Sequence, residues 1–274
     1  MTAPPLKTDP DGTGVASYSN FRFWPEMLLA DTLPREVEAA FLRWHDGMGG
    51  RVGGASRFAD HLDDFPSAGW AYGALTNNDT EGFQALLYGH MATYSSRGTF
   101  HNTEQLRFEG EGAYRNYDTS YKGDVALCVV TAVEVARLTR WQLVFEPHRN
   151  SNDGRGQIWL ARAAPIRWFQ DPAGFGASGF RLQSAEGGAI ISFNVTTEPS
   201  AQKAAYSVVV TAGRPDIGTP RFVLRWPGPL QGEVTGVTGC TVVSAEPENG
   251  LVVVAPAAST TDEARFGVTA QWTT

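Results

Sequence analysis

The residues best suited to chemistry lie between Ser95 and Gln105, in the stretch Ser-Ser-Arg-Gly-Thr-Phe-His-Asn-Thr-Glu-Gln. This stretch contains a carboxylate at Glu104, an imidazole at His101, a guanidinium at Arg97 and an amide at Gln105. The segments on either side both have patterns typical of helices. Because catalytic and binding groups are often carried by loops between rigid elements, the stretch is a candidate site. Glu104 is the first candidate for a catalytic residue.

A second group of polar residues precedes it, between Arg57 and Pro66. One of the two neighbouring carboxylates, Asp63 or Asp64, can cap the helix expected after Pro66. A single cap does not account for all the charged groups in this segment. The surplus suits hydrogen bonding to a polyhydroxylated ligand.

Apolar residues at helical spacing predict the elements that position these groups. Val37, Phe41 and Trp44 follow the spacing i, i+4, i+7 of a helix with one buried face. A similar stripe runs through residues 80–94, and the short turn before it predicts an antiparallel helical hairpin. Residues 125–145 are apolar on nearly every side, which predicts a helix surrounded by other helices.

The period of the pattern changes in the C-terminal part of the chain. Gln157–Phe169 is predicted to form one last short helix. Beyond it, apolar and polar residues alternate in short runs separated by Gly and Pro, which is typical of an antiparallel β-sandwich. The runs are Ala189–Thr197, Tyr206–Ala212, Arg221–Trp226, Glu233–Val237, Leu251–Ala255 and Ala264–Trp272. We therefore expect a flexible leader over residues 1–20, an α-helical domain over 21–165 and a β-sandwich domain over 166–274.

Composition restricts the classes of partner. The chain has 274 residues, 42% hydrophobic and 19% charged, which fits a globular protein. A net charge of −7 and the absence of a Lys/Arg run argue against a nucleic-acid partner. No apolar run is long enough to span a bilayer, and no signal peptide is recognisable. We expect no membrane partner and a cytoplasmic location, or an extracytoplasmic one if the chain is a fragment. Cys128 and Cys240 are expected to be reduced thiols.

Other catalytic chemistries have little support in the sequence. His101 and Glu104 supply at most two ligands, and neither Cys nor further His completes a metal site. A Ser-His-Asp hydrolase is also disfavoured because the chain has no Gly-x-Ser-x-Gly motif. We therefore expect neither a metal nor a cofactor.

Four segments resemble the C-terminal end of a six-hairpin (α/α)6-toroid glycoside hydrolase of the glucoamylase-like superfamily. They are Asp63–Pro66, Tyr94–Gln105, the helix from Asp124, and Trp159–Phe169 with the strands after it. The resemblance implies an α+β multidomain fold, with a partial α/α toroid of helical hairpins followed by an antiparallel β-sandwich. In glucoamylase-like members a Glu-Gln pair before the last toroid helix supplies the catalytic base. Glu104-Gln105 occupy the corresponding place here.

The chain departs from this family in its length. It has fewer helices than a complete toroid, and the family's general acid belongs to an upstream region that has no counterpart here. The resemblance therefore implies a fragment, half of a split enzyme, or a chain whose toroid is completed by a partner chain or an oligomer. Whether the chain is an enzyme by itself stays open.

The predicted function is hydrolysis of an oligo- or polysaccharide, with Glu104 as general base. A polysaccharide lyase that uses Tyr94 and His101 is an alternative, and a non-catalytic carbohydrate-binding subunit is another. A structural role for Glu104, as a helix cap or an ion-pair partner of Arg97, also stays open. The predicted substrate-binding residues are Trp24, Arg57, Asp63, Asp64, Trp70, Tyr94, Arg97, His101 and Gln105.

Overall fold

A computed structural model describes residues 18–58, 61–94, 105–107, 128–148, 156–182, 188–211, 221–257 and 263–273. Strands make up about 40% of these residues. The helices are α1 (Tyr18–Ala30), α2 (Arg35–Gly47), α3 (Ser67–Thr76), α4 (Thr80–Tyr94), α5 (Val129–Leu143) and α6 (Ile166–Phe169). The strands are β1 (Arg51–Val52), β2 (Ala55–Phe58), β3 (His61–Asp63), β4 (Gln105–Arg107), β5 (Val144–Phe145), β6 (Gln157–Leu160), β7 (Phe175–Arg181), β8 (Ile190–Glu198), β9 (Lys203–Thr211), β10 (Arg221–Arg225), β11 (Leu230–Thr238), β12 (Cys240–Glu246), β13 (Leu251–Pro256) and β14 (Glu263–Trp272).

The predicted α/α toroid is wrong. A toroid is built from successive helical hairpins, whereas the described ranges hold six helices and three mostly antiparallel sheets. Strands β1, β2 and β3 lie between α2 and α3, so these helices do not form a hairpin. The fold is α+β and is not that of a six-hairpin glycosidase.

The chain divides into two compact units, residues 1–139 and 140–274, and the division falls within α5. In the first unit, α3 packs against α1, α2 and α4. Nearly every residue of α3 is buried, including Trp70, Tyr72 and Leu75. A four-stranded sheet in the order β1-β2-β3-β4 accompanies these helices. The glycine-rich segment before Ala55 contributes β1 and the turn that reverses the chain between β1 and β2.

A buried ionic network joins α1, α2 and α3. Asp31, which is 1% exposed, accepts a hydrogen bond from the Tyr72 hydroxyl at 2.8 Å and pairs with Arg35 at 3.0 Å. Arg35 also pairs with the buried Glu38 at 2.6 Å. Burial raises the pKa of Glu38, and Arg35 opposes that rise. The network fixes the mutual positions of the three helices.

Replacing Tyr72 with Phe should destabilise the first unit by about 2 kcal/mol, because the mutation removes a buried hydrogen bond to a charged acceptor. Urea denaturation followed by tryptophan fluorescence measures the change. A loss below about 0.5 kcal/mol would show that Arg35 alone satisfies the Asp31 carboxylate.

Helix α5 differs from its prediction. The expected helix was apolar all round and enclosed by helices, yet Val129, Val130 and Val133 are 74%, 52% and 49% exposed. Its buried stripe follows the helical repeat but is largely polar, and it consists of Thr131, Glu134, Leu138 and Gln142. The sequence did not reveal this arrangement because valines lie on the exposed side and polar residues on the buried side, the reverse of the usual amphipathic pattern.

The second unit contains two five-stranded sheets, in the orders β12-β13-β10-β6-β5 and β11-β14-β9-β8-β7. Among the described strand pairs, only β6 and β10 are parallel. Alternate residues of both sheets share one core, which includes Leu160, Phe222, Val254, Val208 and Trp272. The two sheets therefore pack face to face, with apolar side chains between them.

The predicted helix over Gln157–Phe169 is wrong in its first part. Gln157–Leu160 forms β6, in which Ile158 and Leu160 point into the core. The two-residue period extends over only four residues, which is too short a run to recognise in the sequence. Pro165 then precedes α6, where its fixed φ suits the start of a helix.

Two further properties concern the helices and the cysteines. None of the helices in the described ranges combines the length and apolar character needed to span a bilayer. Cys128 and Cys240 are both free thiols, the first buried and the second partly buried.

Candidate functional site

The small sheet of the first unit brings three separate stretches of sequence together. On β2, Arg57 pairs with Leu62 of β3, and on β3, Asp63 pairs with Gln105 of β4. Arg57 and Asp63 are 7% and 3% exposed. The structure thus places Arg57, Asp63 and the backbone of Gln105 on three consecutive strands. This sheet is the candidate site.

The turn between β1 and β2 explains the glycine-rich segment. Gly53 and Gly54 have φ values of +59° and +87°, in the left-handed region that favours glycine. A Cβ on Gly54 would overlap the carbonyl oxygen of Ala85 in α4, and a Cβ on Gly89 would overlap that of Gly53. The glycines therefore allow the backbones of the turn and α4 to approach closely, and this contact places the sheet on α4.

The two neighbouring aspartates end β3 and lead into α3. Asp63 Oδ1 accepts a hydrogen bond from the Phe65 amide at 3.0 Å, and the Asp64 carbonyl accepts one from the Ser67 amide at 2.9 Å. The N-cap residue of α3 is Pro66, which makes no side-chain capping hydrogen bond. Asp64 is fully buried, and its Oδ2 accepts a hydrogen bond from Thr131 of α5.

Tyr94 lies beside these carboxylates at the end of α4. Its side chain is fully buried and packs with Ala55 and Leu62. Burial raises the pKa of its hydroxyl well above the usual value, and Asp63 and Asp64 raise it further. Among the described residues the hydroxyl has no hydrogen-bond partner. The phenol therefore stays protonated and can donate to an acceptor.

His90 links Tyr94 to α5. Its ring centroid lies 4.9 Å from that of Tyr94, and its Nε2 lies 3.3 Å from the Thr131 carbonyl, to which it donates. The imidazole is fully buried, and burial lowers its pKa from 6.5 to about 4. His90 is therefore neutral in the folded protein at pH 7.

The depressed pKa of His90 predicts a loss of stability in acid. Between pH 6.5 and about 4 the unfolded chain binds a proton that the folded chain does not. This contribution to stability is complete above pH 6.5 and is lost as the pH falls to about 4, by up to about 3 kcal/mol. Urea unfolding of the wild type and His90→Gln at pH 7 and pH 4.5 isolates it, because other groups titrate in both proteins. Equal losses in the two proteins would contradict the assignment.

The two tryptophans predicted to stack on sugar lie in a different part of the first unit. Trp70 is 2% exposed, with its centroid 3.8 Å from that of His45 and 5.2 Å from that of Phe41. Stacking on a sugar needs an accessible ring face, which Trp70 does not offer. Trp24 is partly exposed and stacks on Phe41 at 4.4 Å. Neither residue is on the small sheet.

Three predicted residues, Arg97, His101 and Glu104, lie outside the described residues. For Gln105 the structure describes the backbone. In the ranges that are described, no group of three or more His, Cys, Asp or Glu residues could hold a metal ion. The sequence interpretation missed Thr131, because one threonine in an apolar helix gives no signal of its contact with Asp64.

The small sheet and its surroundings contain both donors and acceptors of hydrogen bonds. Asp63 and Asp64 provide acceptors, Arg57 provides donors, and Tyr94 provides a buried hydroxyl. Burial lowers the pKa of Arg57, but a guanidinium remains charged at neutral pH. All four side chains are at most 7% exposed, so they are not accessible to a saccharide and can only support residues that are. Because Arg57 pairs with Leu62, it also lies on the opposite face of the sheet from Asp63.

Comparisons with known proteins do not identify the chain. No protein-family profile matches the sequence, and no curated protein or solved structure matches it significantly. Neither the fold nor these comparisons supports membership of a glycoside hydrolase family. Any function must therefore be argued from the residues themselves.

Proposed function

We propose that the chain hydrolyses glycosidic bonds of an oligo- or polysaccharide, with Glu104 as the general base. The observation that carries the proposal is the β3–β4 pairing, in which Asp63 lies opposite Gln105. Glu104 directly precedes Gln105 in the sequence, which supports the proposal that its carboxylate lies in the neighbourhood of β3. The proposal rests on these residues and not on a fold family.

In this mechanism the Glu104 carboxylate removes a proton from a water molecule as the oxygen attacks the anomeric carbon. Gln105 holds that water or a hydroxyl of the substrate, and Arg97 and His101 bind further hydroxyls or a substrate carboxylate. Arg57, Asp63 and Asp64 are nearly fully buried and support the site from behind rather than contact the substrate. A second carboxyl group must protonate the leaving oxygen. We propose that a carboxyl group of a partner chain or of a second copy of this chain supplies that proton.

A specific observation weakens the lyase alternative. A lyase that used Tyr94 as its base would need the phenolate to remove a proton next to the uronate carboxyl. The raised pKa of Tyr94 opposes formation of that phenolate. Tyr94 is also fully buried, so its hydroxyl cannot reach a substrate.

The proposed partner is a carbohydrate. A nucleic-acid partner is disfavoured because a net charge of −7 repels a phosphate backbone. The proposed compartment is the cytoplasm. Two free cysteines, Cys128 and Cys240, suit a reducing environment.

The test is to incubate the purified chain with neutral and uronate-containing oligosaccharides. Release of reducing ends without new ultraviolet absorbance is the result expected for a hydrolase. Equal release of reducing ends and unsaturated, ultraviolet-absorbing product would identify a lyase. Calorimetric binding of an oligosaccharide without turnover would identify a non-catalytic binding subunit and overturn the proposal.

A further inference from the structure

The edge strand of the small sheet depends on a single neighbour. Among the described strands, β4 pairs only with β3, through His61↔Arg107, Leu62↔Leu106 and Asp63↔Gln105. A three-residue edge strand with one partner is a weakly held element. Any contact that fixes the end of β3 therefore also fixes β4.

One buried hydrogen bond attaches the end of β3 to α5. The Thr131 hydroxyl donates to Asp64 Oδ2, across 67 residues of sequence, and both side chains are fully buried. The same residue, Thr131, accepts a hydrogen bond from His90 of α4 through its carbonyl at 3.3 Å. The first turn of α5 thus contacts both the end of β3 and α4.

The burial of Asp64 determines what its side chain can do. With no exposed surface, its carboxylate is not accessible to a saccharide. A buried carboxylate must be hydrogen-bonded, and the loss of one partner is costly because the charge stays desolvated. The Thr131 hydroxyl is therefore a strong constraint on the position of Asp64.

We infer that Thr131 is a positioning residue, which holds β3 through Asp64 and so keeps β4 in register beside it. Its effect on catalysis rests on the proposed function, because β4 begins at Gln105, directly after Glu104. Its effect on the β3–β4 pairing rests on the contacts alone. Asp64 then acts as an anchor of the sheet rather than as a ligand for the substrate.

The test compares three variants of the full chain by amide hydrogen exchange. Thr131→Val removes the hydroxyl at nearly constant size, Thr131→Ser keeps it, and Thr139→Val changes an exposed threonine of the same helix as the control. In Thr131→Val the amides of His61–Asp63 and Gln105–Arg107 should exchange roughly tenfold faster, since loss of one such bond is a tenfold effect. Thr131→Ser and Thr139→Val should exchange like the wild type. The amides of the second unit should be unchanged in every variant.

The effects of each variant on kcat and on amide exchange are measured separately. On a saccharide that the wild type hydrolyses, Thr131→Val should lower kcat about tenfold with little change in KM, and Thr131→Ser should restore it. Unchanged exchange at Gln105–Arg107, or equal acceleration over the whole first unit, would overturn the inference. Faster exchange with unchanged kcat would overturn its catalytic part. If the wild type hydrolyses no saccharide, the proposed function fails while the exchange result still decides the role of Thr131.

A milder variant covers the case in which Thr131→Val does not fold. Asp64→Asn keeps an acceptor for the Thr131 hydroxyl but removes its charge, which weakens the hydrogen bond. It should give a smaller acceleration, roughly threefold, at the same amides. No acceleration there would contradict the inference.

Discussion

Replacing Glu104 with Gln is expected to lower kcat on a hydrolysed saccharide about 10³-fold, without a change in thermal stability. The amide is nearly the same size as the carboxylate but cannot accept a proton from the attacking water. General base catalysis typically contributes 10²- to 10⁴-fold, which sets the size of the loss. KM should change little if Glu104 contacts the water rather than the sugar.

The control for this prediction is Glu36→Gln. Glu36 is an exposed carboxylate on α2, so the variant makes the same chemical change away from the small sheet. Initial rates measured over a range of substrate concentrations separate kcat from KM, and a thermal melt checks folding. Wild-type turnover in Glu104→Gln would remove Glu104 from the mechanism. A parallel loss in Glu36→Gln would show that the effect is not specific to the site.

Replacing Gly54 with Ala is expected to cost the first unit about 4 kcal/mol of stability. A left-handed φ of +87° is unfavourable for alanine by about 1–2 kcal/mol. The new Cβ would also overlap the backbone carbonyl of Ala85 in α4, and forcing extra atoms into such a contact costs about 1–3 kcal/mol. Because the obstacle is backbone, no side-chain rotation can relieve it.

The neighbouring glycine separates these two causes. Gly53 also has a positive φ, but a Cβ there would meet nothing within 4 Å. Gly53→Ala should therefore lose only the conformational part, about 1 kcal/mol. Denaturant unfolding of both variants measures the difference. Equal losses would mean that the turn moves away from α4 at no cost.

Six of the ten strands of the second unit were predictable from sequence, and β5, β6, β7 and β12 were not. In β8 and β14, alternate residues face the shared core, and this two-residue period is visible in the chain. The prediction missed β6 because four residues cannot distinguish a strand from the start of a helix. It missed β12 because that strand is exposed along nearly all its length and lacks an apolar face.

The candidate site was predictable in its members but not in its assembly. Charged groups singled out Arg57 and Asp63, and the structure places both on one sheet. The pairing of Asp63 with Gln105 of β4 joins residues that are distant in sequence, which local patterns do not encode. The toroid failed for a related reason, since helical spacing in α2, α3 and α4 says nothing of the strands between them. The polar buried face of α5 was not predicted, because contacts such as that of Thr131 with Asp64 join residues 67 positions apart.

The parallel pairing of β6 with β10 has a consequence for cutting the chain. Strand β6 precedes α6, yet it forms hydrogen bonds with Phe222–Leu224 in the middle of a sheet completed by much later strands. A fragment beginning after Leu160 would leave β10 with a bare, apolar edge, and such edges recruit other chains. The shortest fragment that folds by itself must therefore include β5 and β6, although most of its strands lie beyond residue 174.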